Sequence, residues 1–62
     1  MNEQPPLSEQ EWNLIAELLQ RELDELPVEI HHTRSSQMRE ELSHRREMVR
    51  GLLERIRPSV VV

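Results

Sequence analysis

A stripe of apolar residues, Trp12, Ile15, Ala16, Leu19, Leu23 and Leu26, recurs at intervals of three, four or one, the pattern of a helix that buries one face. The start of that helix is written just ahead of it. Ser8 is a good N-cap and Glu11 follows three residues later, which makes a capping box. Leu7 and Trp12 stand at the two positions of a hydrophobic staple, and Glu9 and Glu11 suit the positive end of the helix dipole. Helix 1 is therefore expected over about 8–26. Leu14 and Leu18 fall beside the stripe, so the apolar face is wider than one partner helix can cover.

Pro27 is expected to end this helix, because the residue before a proline is pushed away from the α region. Val28, Ile30 and His32 alternate as an extended segment would, and an irregular or extended connector over 27–34 is the preferred reading. The alternative makes Pro27 the first residue of a long second helix. Thr33, Ser35 and Ser36 are candidate N-caps for helix 2, expected over about 35–57, with Pro58 as its stop. Its apolar positions are Met38, Leu42, Val49, Leu52, Leu53 and Ile56, with Met48 at the flank. Read in strict four-three alternation from Met38, they give a heptad seam of Leu42, Arg45, Val49, Leu52 and Ile56, interrupted at Arg45. An arginine there has to snorkel, pair with a helix 1 glutamate such as Glu22, or mark a break in the seam; its functional reading is to specify pairing.

The fold class that follows is all-α: two antiparallel helices in a hairpin, between a leader at 1–7 and a tail at 58–62. A hairpin leaves one face of each helix uncovered, and the simplest closure is a homodimeric four-helix bundle. Size points the same way. The chain has 62 residues and no cysteine, so it forms one domain at most, cannot use a disulfide, and draws its core almost entirely from aliphatic residues beside the single Trp12. Trp12, Ile15, Leu18, Leu19, Leu23, Leu26, Met38, Leu42, Arg45, Val49, Leu52 and Ile56 are the expected core and oligomer interface. A second copy is the expected partner, with an unidentified protein as the other option. No membrane span is present in the hydropathy pattern, and the absence of cysteine fits a reducing compartment, here the cytoplasm.

Charge is split between the halves. Residues 1–33 carry eight acids and one arginine, whereas residues 34–62 carry seven arginines and four acids. Either the halves face each other or the basic half faces a polyanion. Arg39, Arg46, Arg50 and Arg57 lie along one side of helix 2, as a phosphate-binding surface requires. Against that, Glu40, Glu47 and Glu54 recur beside them, the net charge is −4, and pairs such as Glu41–Arg45 and Glu47–Arg50 describe a solvated helix surface. Nucleic acid is not favoured.

Two Glu-x-x-His spacings, Glu29–His32 and Glu41–His44, match the carboxylate–imidazole pairs of metal-binding bundles, with Glu22 or Glu25 as further ligands. Among twelve acids and three histidines such pairs arise by accident, so no metal and no cofactor is expected, and His31 and His32 read as connector residues. Gly51 inside helix 2 is read as a tolerated surface glycine rather than a close-approach point. Val60, Val61 and Val62 form a short apolar end, read as a disordered tail. The chain lacks cysteine, tyrosine and a Gly-rich phosphate loop, and its serines cluster near helix caps, so no enzymatic activity is expected. A small self-associating interaction or regulatory module is the favoured reading.

Overall fold

A computed structural model describes residues 5–60. The parts of the expected leader and tail at 1–4 and 61–62 lie outside the described residues. Within them the fold is two helices, α1 (Glu9–His32) and α2 (Ser36–Ile56), followed by a single 3-10 turn over Arg57–Ser59. The molecule measures 41 × 25 × 13 Å, and its thinnest dimension is about that of one helix with its side chains. The hairpin is thus a single layer.

α1 begins as the sequence predicts. The Ser8 N–H donates to Glu11 Oε1 at 2.8 Å, and the Glu11 N–H donates to Ser8 Oγ at 3.1 Å, closing the capping box. Leu7 and Trp12 are both half-buried. The end of α1 differs from expectation. The helix passes straight through Pro27 and continues to His32, so the connector expected over 27–34 is helical as far as His32 and only Thr33, Arg34 and Ser35 join the helices. A proline in a helix interior removes one hydrogen bond, here to the Leu23 carbonyl, at a cost of about 3 kcal/mol. Packing on both sides offsets that cost. Leu26 is wholly buried and Ile30, one turn later, is half-buried, while Pro27 itself faces solvent. The final turn also brings the chain to where a short αα-hairpin can reverse.

At the reversal the Thr33 N–H donates to the Ile30 carbonyl at 3.4 Å. Of the three candidate caps for α2, Ser35 serves: its Oγ accepts the Met38 N–H at 3.2 Å. Arg39 Nη2 reaches back to the Thr33 carbonyl at 3.0 Å and fastens the turn to α2. α2 ends at Ile56, and Pro58 sits in the 3-10 turn, where its missing N–H is tolerated. Val60 donates its N–H to the Arg57 carbonyl at 3.1 Å and is half-buried. Residues 58–60, expected in a free tail, therefore belong to the folded unit.

The core is thin. Leu26, Val49 and Leu53 are its buried residues among those described, and Ala16, Leu19, Leu23 and Leu42 pack around them. Leu53, rather than Leu52, takes the inward position on α2, so the seam runs Leu42, Arg46, Val49, Leu53 and Ile56. This corrects the phase read from Met38: Arg45 and Leu52 stand one step round the helix, at the rim of the inter-helix contact. Met38, the starting point of that reading, is exposed. Arg46 is only partly exposed and its Nε is buried without a hydrogen bond, its nearest carboxylate oxygen being Glu47 Oε2 at 3.9 Å.

Candidate interaction face

The twelve residues expected to form core and interface separate into two groups. Leu19, Leu23, Leu26, Leu42 and Val49 build the contact between α1 and α2 within one chain. Trp12, Ile15 and Ile56 are half-buried along the same inward stripes. Met38 and Arg45 are exposed, and Leu18 and Leu52 face outward instead. So do two residues outside that group of twelve, Leu14 and Met48. Their signal was present as i,i+4 spacing, Leu14 with Leu18 and Met48 with Leu52, which puts each pair on one face. In the sequence, Leu14 and Leu18 already stand beside the main stripe of α1 and Met48 at the flank of α2.

The four outward residues are 52 % (Leu14), 51 % (Leu18), 55 % (Met48) and 44 % (Leu52) exposed. Three of them meet across the hairpin. Leu18 and Leu19 of α1 and Met48, Val49 and Leu52 of α2 line one groove of about 380 Å³, with Glu22 and Arg45 at its end. Leu14 extends the apolar strip by one helical turn. The result is an apolar strip that crosses both helices on one side of a one-layer molecule.

Glu22 and Arg45 form an ion pair between the two helices, with Arg45 Nε donating to Glu22 Oε2. The glutamate is largely covered, whereas the arginine is more than half exposed, so one side of the pair is open to solvent. Arg45 thus takes Glu22 rather than Glu41, its i−4 neighbour. A second groove, of about 390 Å³, is lined by Ala16, Leu53 and Val60 together with Asn13, Glu17, Gln20 and Arg57.

The four arginines that fit a phosphate stripe do share one side of α2, but three of them carry close local partners. Arg50 Nη2 lies 2.7 Å from Glu47 Oε2, Arg57 Nη1 lies 3.3 Å from Glu54 Oε2, and Arg39 is held by the Thr33 carbonyl. Glutamates within the same stripe reduce the positive potential a nucleic-acid backbone would meet. The Glu-x-x-His pairs behave differently from their sequence reading. With α1 extended, Glu29 and His32 do share a helix, yet Glu29, His32, Glu41 and His44 are all exposed. Among the described residues no three His, Asp or Glu side chains converge to hold a metal ion. His31 and His32 pack edge to face with ring centres 5.5 Å apart. Among the described residues no helix is long and apolar enough to cross a membrane.

Comparison of the chain with known protein families, with curated proteins and with solved structures finds no match.

Proposed function

We propose that the chain is a non-enzymatic cytoplasmic interaction module that works as a homodimer, two hairpins closing face to face into a four-helix bundle. The observation that carries this reading is the apolar face of Leu14, Leu18, Met48 and Leu52, half-exposed and continuous across both helices. Each of these side chains has about half its burial free energy still to gain, a full leucine burial being worth ~1.5–3 kcal/mol.

Two of the five serines, Ser8 and Ser35, use their hydroxyls as N-caps.

Sedimentation equilibrium on the full chain, paired with circular dichroism over a dilution series, tests the reading. The expected outcome is a dimer mass at tens of micromolar and a melting temperature that rises with concentration, because association stabilises the folded form by mass action. A helical monomer with a concentration-independent melt would refute it.

A further inference from the structure

The two helices present different charges around the same apolar face, and this decides how a second copy must sit on it. Along α1 the outward face reads Glu11, Leu14, Leu18, Glu22, with steps of three, four and four. Along α2, in the opposite direction, it reads Arg55, Leu52, Met48, Arg45. Both strips therefore have an apolar pair at the centre and a charge at either end, acidic on α1 and basic on α2. The heights also match, because Glu22 and Arg45 touch across the hairpin and lie in the groove with Leu18, Met48 and Leu52.

Two symmetric closures bring the faces together with antiparallel neighbours. In one, the two-fold axis runs across the helices, α1 packs on the partner's α1, and acidic ends meet acidic ends. In the other, the axis runs along the helices and α1 packs on the partner's α2 at equal height. Glu11 then faces Arg55, Leu14 faces Leu52, Leu18 faces Met48 and Glu22 faces Arg45, each across the interface. Like charges set opposite each other across an interface disfavour an arrangement, whereas complementary ones fix register.

Resting on the homodimer reading above, we infer that each α1 docks on the α2 of a second copy, with Glu22 and Arg45 of both chains forming one alternating four-charge layer that selects this pairing. Arg45 is suited to the task because its side chain stays more than half exposed while paired with Glu22, and a guanidinium has donors enough for two carboxylates. One turn further on, Glu25 and Glu41 are both acidic, so the charge layer also marks where the close contact ends.

The double reversal Glu22→Arg with Arg45→Glu separates the pair within a chain from the pair between chains. It restores the contact inside each hairpin and leaves homodimers complementary, but a mixed dimer with the wild-type chain sets glutamate against glutamate and arginine against arginine. Native mass spectrometry on an equimolar mixture with isotopically labelled wild-type chain should show the mixed dimer about tenfold below its statistical share. Statistical mixing would overturn the inference while leaving self-association standing. Wild-type chain that is monomeric throughout would overturn both. If circular dichroism shows the double variant unfolded, the single variants decide: Glu22→Arg and Arg45→Glu, each a poor homodimer, should dimerise when mixed. A mixture that associates no better than its components sinks the pairing.

Discussion

Replacing Leu18 and Leu52 together by alanine is the perturbation that most directly weighs the outward face. In the isolated hairpin these side chains are 51 % and 44 % exposed, so about half of their burial free energy is already gained within the chain. The other half is available only from a partner. At ~1.5–3 kcal/mol for a fully buried leucine, that half is about 1 kcal/mol per side chain. A dimer holds four such positions, giving a loss of about 3–6 kcal/mol in association free energy. Each 1.4 kcal/mol is tenfold in Kd, so the dimer should weaken by about 10²–10⁴-fold. Alanine is the best helix former, so the helices are retained at low temperature. Each hairpin also loses the half already gained, about 1 kcal/mol per side chain, and melts lower. Sedimentation equilibrium reads the first quantity, and circular dichroism at low concentration reads the second. A dimer Kd within about threefold of wild type, with helicity unchanged, would refute the assignment of this face.

Leu26→Ala removes the one wholly buried side chain among the described residues and should cost about 2–5 kcal/mol of folding stability by urea titration, far more than truncating the exposed Val28. Pro27→Ala restores the N–H that the Leu23 carbonyl lacks. The gain should be about 2 kcal/mol, the ~3 kcal/mol helix penalty less the unfolded-state entropy that proline removes; an unchanged urea midpoint would contradict the account of α1. Ser8→Ala breaks the capping box and should lower stability by about 1 kcal/mol, visible as a reduced thermal midpoint. Gly51→Ala should raise that midpoint, because a Cβ there meets nothing within 4 Å and alanine is favoured over glycine in a helix by about 1 kcal/mol.

Local signals carried much of the architecture. The start of α1 was legible because a capping box is decided by residues within one turn, and Ser8 and Glu11 need no distant partner to form it. The all-helical hairpin followed from two apolar stripes of helical period, and Ser35 was among the three cap candidates for α2. Glu22 as a partner for Arg45 was also within reach, since an antiparallel hairpin brings acidic α1 beside the basic seam.

What the sequence left undecided was settled by contacts between the helices. Pro27 and its β-branched neighbours favour a break, and they lose because Leu26 and Ile30 pack only if the helix continues past them. The phase of α2 was ambiguous for a geometric reason. Leu42, Val49 and Ile56 fit both seams, so periodicity alone could not choose between Arg45 with Leu52 and Arg46 with Leu53; the placement of α1 against α2 chose the second. That choice turned Leu52 and Met48 outward beside Leu14 and Leu18. A sequence sets how much apolar surface each helix carries, but only the packing of the two rods determines which part of it is left facing water.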